Sequence, residues 1–372
     1  MAGELRAFRR RRLTPEEGKV AADIALSTPV KEWGGRVSEL HLDDPETLLP
    51  LLEALRQRWE TEPQEVLEIC SVLYGYLEQG KEDYPVDAFL LDEREYFLGE
   101  SARIAAAVSR QLALRTEARM WLDLAEGWFL QTENAAGNLA KVSYQRLAIR
   151  IEERDFEAIL RLLPQLVATF NRLGMKEDAL KSRLLGALVL KEQDNLPKAA
   201  EALNEIVHDA ADLRNDSLQA WAYVNLVQVY GYLGDSDNAI ESTRAASPIL
   251  QRVGNRIGLA KIQWGIGALL KSKSDFLGAI DAYRASQREF SELGMRADVA
   301  AVHLVIADLL LDAGQDRQAE WEIRQALPII DEYKLVPEGF AALSLLRESL
   351  RRQKIDRQAL RNLHGYFEEL SS

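Results

Sequence analysis

The sequence predicts an all-α fold, an α-solenoid of stacked helix pairs with a helical cap at its N-terminal end. Three observations lead to this prediction. Alanine recurs about every 40 residues, two helical patterns lie between successive alanines, and no strand-like alternation interrupts them. A repeat of about 20 to 50 residues is typical of solenoids and propellers, and helical units leave the solenoid. The recurring alanines are Ala199, Ala239, Ala279, Ala319 and Ala359.

The composition is that of a folded, soluble chain. Of 372 residues, 47% are hydrophobic and 28% are charged, and the net charge of −13 argues against general nucleic-acid binding. No apolar run reaches the roughly 20 residues of a membrane span, and no apolar segment suggests a secretory signal. Cys70 is the single cysteine, so no intrachain disulfide can form. We therefore expect a cytoplasmic protein.

Residues 1–40 are predicted to form a basic tail and a first helix. The helix should start at Thr14, with Pro15 at its first position and acidic residues at the positive end of its dipole, and should end near Leu26. The tail is either solvated or an electrostatic contact for an acidic partner, RNA or membrane headgroups. Its arginines are Arg6, Arg9, Arg10, Arg11 and Arg12.

Residues 41–85 are predicted to form the N-terminal helical cap. Asp44 and Pro63 begin two leucine-rich helical patterns, and Gly80 is expected to end the second. A solenoid needs such a cap because its first repeat would otherwise expose an apolar face. Cys70 lies on the apolar face of the second pattern, so we predict a buried structural thiol.

The rest of the chain is predicted to consist of helix pairs. Residues 86–173 hold degenerate pairs, with Gly99 as a candidate break between two helices and one pair at 137–153 and 156–172. Residues 174–335 hold four clear pairs, and residues 336–372 hold a last pair, at about 337–352 and 356–370, that caps the array. The clear pairs are 175–191 with 197–212, 217–232 with 236–252, 256–272 with 276–292, and 296–312 with 316–332.

The recurring residues have a physical explanation. Alanine recurs early in each second helix because the paired helices cross closely there, and a larger side chain would separate them. Small residues should therefore face it twelve positions earlier, where the chain has Ala187, Val227, Gly267 and Ala307. Glycines that follow second helices fit left-handed helix caps. This register contains Gly174, Arg214, Gly254, Gly294 and Lys334.

These features resemble the tetratricopeptide repeat (TPR), over residues 137–370 and more weakly over 86–136. The resemblance rests on the alanine marker, the small residue before it, and Gly-Asp or Ser-Asp turns between paired helices. The period exceeds the usual 34 residues of a TPR. The resemblance implies a right-handed superhelix whose concave face is lined by the first helix of each pair. The layout is also similar to that of bacterial TPR regulatory proteins.

The resemblance also implies a set of groove residues. Amides in such a groove would pair with extended backbone, aromatic rings would anchor apolar side chains, and lysines would bind carboxylates. The alternative is that the aromatic rings fill space between repeats. The carboxylate clamp of chaperone-binding TPR proteins is matched only at Asn225 and Lys261. The predicted groove residues are Lys181, Trp221, Asn225, Gln228, Tyr232, Lys261, Trp264, Lys271 and Asp308, and Lys191 and Leu304 occupy equivalent inward positions.

Catalysis is not predicted, since the four histidines are scattered and no hydrolase, zinc-protease or nucleotide-binding motif is present. We expect no cofactor and no metal. The predicted function is a non-enzymatic scaffold that binds a peptide or protein segment. The alternative is a ligand-switched regulator, similar to Rap-type quorum regulators, in which a peptide closes the superhelix and the N-terminal helices engage a second partner. A structural or dimerisation module is a third hypothesis, and the sequence leaves the oligomeric state open.

Overall fold

The computed structural model describes residues 12–36, 39–59, 61–83 and 91–333, and residues 335, 339, 341, 342, 344–346 and 348. Within these residues the chain consists of helices and turns and contains no β-strand. It divides into two compact units, Met1–Ser182 and Arg183–Ser372. The predicted all-α class is therefore confirmed, whereas the division into five predicted segments remains a prediction.

The first unit begins with a capped helix. In α1, the Thr14 hydroxyl accepts a hydrogen bond from the Glu17 N–H at 3.3 Å, and the Glu17 carboxylate accepts one from the Thr14 N–H at 2.8 Å. This reciprocal capping box confirms the predicted helix start. The helices are α1 (Pro15–Ser27), α2 (Pro45–Arg58), α3 (Pro63–Asp83), α4 (Leu91–Gln111), α5 (Arg115–Phe129), α6 (Ala135–Glu152) and α7 (Phe156–Arg172), with a 3₁₀ helix at Val30–Gly35.

The core of the first unit is continuous from α1 to α6. Trp33 of the 3₁₀ helix is buried, and its indole N–H donates to the Thr28 carbonyl at 3.1 Å. Cys70 is fully buried in the same core, and burial raises the pKa of its thiol. This confirms the predicted structural cysteine. Of the arginine tail, residues 1–11 lie outside the described residues, and Arg12 forms ion pairs with Glu46 and Glu93 at 3.3 and 3.2 Å.

Two expected helix breaks are wrong. Gly80 lies inside α3, which continues to Asp83, and Gly99 lies inside α4. The reason at Gly99 is packing. A Cβ atom there would lie 2.7 Å from Cε1 of Phe129, so the missing side chain makes room for an aromatic ring of α5. Glycine thus serves close approach of two helices at this position.

The second unit contains the clear pairs, except for the start of the first helix. Every observed helix boundary lies within one residue of the predicted boundary, so these pairs are confirmed. α8 (Lys176–Glu192) crosses from the first unit into the second. It is followed by α9 (Leu196–Asp212), α10 (Asp216–Leu233), α11 (Ser236–Val253), α12 (Arg256–Ser272), α13 (Phe276–Glu292), α14 (Arg296–Asp312) and α15 (Asp316–Glu332). The predicted last pair, including Ala359, lies almost entirely outside the described residues.

The marker alanines are buried where paired helices meet, as predicted. Ala199, Ala279 and Ala319 are fully buried, and Ala239 is 3% exposed. At Gly267, a Cβ atom would lie 2.9 Å from the ring of Tyr283, so the aromatic ring of α13 fills the space left by α12. Small residues therefore set the helix spacing in these pairs.

A left-handed residue ends the helices at a fixed interval. Positive φ angles of 54–72° occur at positions 154, 174, 194, 214, 234, 254, 274, 294 and 314, a spacing of 20 residues. Glycine occupies five of these positions. The other four are Arg154, Asp194, Arg214 and Ser274. In each case the chain reverses through one left-handed residue, which satisfies the last carbonyls of the preceding helix.

Replacing Ser274 with glycine is expected to raise the free energy of unfolding by about 1 kcal/mol, because only glycine adopts this conformation without steric cost. Urea titration followed by far-UV circular dichroism would measure the change. Gly314→Ala is the converse control. Gly314 has a φ of +72°, against +62° at Ser274, and an added Cβ atom would meet nothing within 4 Å, so its loss of stability would report backbone strain alone. Equal stability of the Ser274→Gly and native chains would contradict this reading.

Candidate binding surface

Two first helices of the second unit, α10 and α12, approach each other unusually closely. A Cβ atom on Gly231 would lie 2.4 Å from the Gly265 carbonyl oxygen, and one on Gly265 would lie 2.7 Å from Cγ1 of Val227. Only glycine fits at either position, because backbone atoms cannot rotate away. The contact brings the polar and aromatic residues on both sides of it within reach of one another.

Lys191 of α8 joins a polar group at this contact. Its Nζ donates to the Gln228 Oε1 at 2.8 Å and lies 3.4 Å from the Asn225 Oδ1. The Asn225 amide in turn donates to the Trp221 carbonyl at 2.8 Å. Asn225 and Gln228 are each 8% exposed, so both amides are committed to contacts within the chain.

A second lysine extends this group. Lys261 Nζ lies 5.5 Å from the centroid of the Trp221 ring, a cation–π contact. The pKa of Lys191 is lowered to about 8, mainly by burial; Glu192 acts to raise it, and the nearby charge of Lys261 acts to lower it. We call Lys191, Trp221, Asn225, Gln228 and Lys261 the polar cluster.

An open cavity of about 700 Å³ lies further along the same helices. The Trp264 indole N–H donates to the Tyr232 Oη at 3.0 Å. The Trp264 ring meets the Tyr283 ring edge-on, with centroids 5.7 Å apart and an interplanar angle of 82°. Tyr283 is almost fully buried, and Tyr232 is 48% exposed. The cavity therefore has a fixed aromatic wall with one accessible tyrosine.

The cavity is also lined by an ion pair and aliphatic side chains. Lys271 Nζ lies 2.5 Å from the Asp308 Oδ2, and both side chains are partly exposed. We call this cavity, with all its lining residues, the aromatic cavity. Its lining residues are Tyr232, Trp264, Ala268, Lys271, Ser272, Tyr283, Leu304, Val305, Asp308, Ala341, Ser344 and Leu345.

The structure brings together eight of the nine predicted groove residues in two groups. The polar cluster contains Trp221, Asn225, Gln228 and Lys261, and the aromatic cavity contains Tyr232, Trp264, Lys271 and Asp308. The ninth, Lys181, belongs to the first unit, where it lies 3.9 Å from Asp178. That these residues bind a ligand stays a prediction.

Among the residues of this surface that the predicted set omitted, Lys191 and Tyr283 contribute most to its geometry. Lys191 stood at an inward position, but no signal indicated that it would hold two amides of α10. Tyr283 lies four residues after Ala279, where core residues recur, and its burial agrees with that position. Its ring also forms part of the cavity wall, which a one-dimensional pattern does not distinguish.

Two other classes of site are absent from the residues that the structure describes. No group of three or more histidine, cysteine, aspartate or glutamate side chains is arranged to hold a metal ion there. Among the same residues, no helix is both long and apolar enough to cross a bilayer.

The paired helices, buried alanines and left-handed turns define an α-helical repeat protein of the TPR-like class. A solved Rap protein, complexed with competence and sporulation factor, is similar to this chain. The TM-score is 0.50 and the identity 13%, and the match covers 92% of this chain and 99% of that chain. At this identity the likeness shows the fold alone.

Two further solved structures match at TM-scores too low to indicate a shared fold. One is BtubC from P. vanneervenii, with a TM-score of 0.34 and 15% identity; the match covers 72% of this chain and 91% of that chain. The other is the Cut9–Hcn1 hetero-tetramer of the APC/C, with a TM-score of 0.22 and 12% identity; the match covers 93% of this chain and 88% of that chain. No family model and no curated protein matches the sequence.

Proposed function

We propose that the protein is a non-enzymatic interaction scaffold that binds a peptide or protein segment on α10, α12 and α14 of its second unit. The observation that carries the proposal is the aromatic cavity beside the polar cluster. Binding surfaces typically place a few aromatic anchors next to oriented polar groups. We further propose that the protein is bacterial and cytoplasmic.

The chemistry of the surface favours a particular kind of segment. An apolar or aromatic side chain would enter the cavity against Trp264 and Tyr283, and its neighbours would reach the Lys271–Asp308 pair. An acidic group would lie near Lys191 and Lys261, whose two positive charges repel each other. Because Asn225 and Gln228 already hold Lys191, pairing with ligand backbone would require Lys191 to exchange partners.

Trp264→Ala is expected to weaken binding about 30-fold, as is typical of a central aromatic anchor. A peptide selected from a random display library on the intact chain would serve as the probe, with dissociation constants from fluorescence anisotropy. Lys261→Ala should lower the affinity for the same peptide about tenfold, because it removes a cation that the acidic group of the peptide contacts.

Trp321→Ala is the matched control. Trp321 is 53% exposed on α15 and does not line the aromatic cavity, so affinity should stay within about twofold. Circular dichroism would verify that each variant is folded. If the library yields no binder, or if Trp264→Ala and Trp321→Ala behave alike, the surface is not the binding site.

The alternative, a peptide-switched regulator, has one observation in its favour: the likeness to a Rap protein extends over 92% of the chain. It requires the chain to change shape with its ligand. Small-angle scattering with the selected peptide separates the two functions. A decrease in the radius of gyration would favour the regulator, and an unchanged radius would favour the scaffold.

A further inference from the structure

The helices α10 and α12 run side by side in the same direction. Their contacts advance together along both helices. The Lys261 ammonium lies over the Trp221 ring, and further along, a Cβ atom on Gly234 would lie 3.2 Å from the Ser272 Oγ. On each helix, the residues of the polar cluster therefore precede those of the aromatic cavity.

One face of α12 connects the two groups. Lys261, Trp264, Ala268 and Lys271 follow one another at intervals of three or four residues, so their side chains lie along the same face of the helix. The last three line the aromatic cavity, whereas Lys261 belongs to the polar cluster. This face thus leads from a cation to an aromatic wall.

Both ends of this face are accessible to a ligand. Lys261 is partly exposed, and within the described part of the chain no acid forms an ion pair with it. The aromatic cavity is open, and Tyr232 at its edge is 48% exposed. Lys271, in contrast, already has Asp308 as its partner. Lys261 is therefore the cation of this face that can bind an external carboxylate.

The distance between the two ends along α12 sets the spacing of the ligand's side chains. From Lys261 to Ala268, in the middle of the cavity lining, seven residues rise by roughly 10 Å. Helix side chains tilt toward the N-terminus, so the long lysine side chain brings the separation of charge and cavity to about 13 Å. Four residues of an extended segment also span about 13 Å, and they place both side chains on the same side of the segment.

We propose that the segment bound by this surface carries an acidic and an aromatic residue four positions apart. Its carboxylate would contact Lys261, and its aromatic side chain would enter the aromatic cavity. The three residues between them would pass over the hydrogen bond from Trp264 to Tyr232. At three or five positions, one of the two side chains would point away from the surface, and at two positions the segment would be too short. This inference rests on the proposed function, because it specifies the ligand of the same surface.

The test measures binding of labelled synthetic peptides to the full chain by fluorescence anisotropy. Each peptide carries one aspartate and one phenylalanine in a glycine–serine background, and each is made in both orders. The separation of the two residues varies from about two to six positions around the expected optimum. One of the two orders should bind best at four positions, at least about fivefold more tightly than at three or five. Equal affinity at all separations would overturn the proposal.

A double-mutant cycle tests whether the aspartate contacts Lys261. Lys261→Met should weaken binding of the best peptide about tenfold, but binding of its asparagine counterpart by less than about twofold. Lys273→Met is the matched control, because Lys273 is exposed at the C-terminal end of α12 and does not line the cavity. Its effect on either peptide should stay within about twofold. Equal effects of Lys261→Met on the two peptides would contradict the assigned contact.

The library-selected peptide distinguishes failure of the spacing from failure of the proposed function. If Trp264→Ala weakens that peptide but the synthetic series shows no optimum at four positions, the spacing is wrong and the binding surface stands. If Trp264→Ala leaves the selected peptide unaffected, the proposed function fails, and the spacing fails with it.

Discussion

Glu100→Ala is expected to lower the free energy of unfolding by about 3–5 kcal/mol, the usual cost of breaking a buried ion pair. The substitution leaves the guanidinium groups of Arg56 and Arg103 near one another with no carboxylate between them. Urea unfolding followed by far-UV circular dichroism would measure the loss. Because the chain has two units, the transition that belongs to the first unit is the relevant one.

A control variant and the pH dependence of stability test whether the buried ion pairs of Glu100 cause this loss. Glu53→Ala removes a carboxylate that also pairs with Arg56 but is 55% exposed, so its cost should stay below about 1 kcal/mol. The pKa of Glu100 is about 2 in the folded chain and about 4.5 when unperturbed. Its contribution to stability is therefore complete above pH 4.5 and disappears as the pH falls towards 2. Equal losses for the two variants at pH 7 would contradict this account.

Gly231→Ala is expected to cost about 2 kcal/mol, although alanine normally stabilises a helix relative to glycine. The new methyl group would lie 2.4 Å from the Gly265 carbonyl oxygen, so α10 and α12 would have to separate. Separation would also disturb the polar cluster and the aromatic cavity. A combined measurement of thermal stability and peptide affinity should therefore show both values falling together.

Gly127→Ala provides the comparison. Gly127 also lies in a helix, α5, but an added Cβ atom would meet nothing within 4 Å. Here the helix propensity of alanine should prevail, and stability should rise by about 1 kcal/mol. If Gly231→Ala also stabilised the chain, the close approach of α10 and α12 would not be a constraint.

The fold could be predicted because local signals recur in it. Each helix pair repeats its small residue, its capping residue and its turn, so a weak signal in one pair is compensated by the same signal in the neighbouring pairs. The expected helix break at Gly99 was wrong because this glycine does not recur in other pairs, so no repeat could test it. Local sequence cannot distinguish a glycine that breaks a helix from one that receives an aromatic ring such as Phe129.

The sites were less predictable, because their members come from separate helices. Positions derived from the TPR pattern identified four of the five residues of the polar cluster and four of the twelve that line the aromatic cavity, since the first helices repeat in register. Nothing in the sequence linked Arg56 and Glu100, which lie on α2 and α4. Their proximity depends on helix packing in a region where the repeat is weak.

The even spacing of left-handed residues has a consequence for how such a chain can change length. Gly234 is followed by Asp235, which caps α11, and Ser274 is followed by Asp275, which caps α13. Excision of residues 235–274 would join Gly234 directly to Asp275 and restore the same junction. The gene could therefore lose or duplicate whole modules and still encode the same turn at the junction.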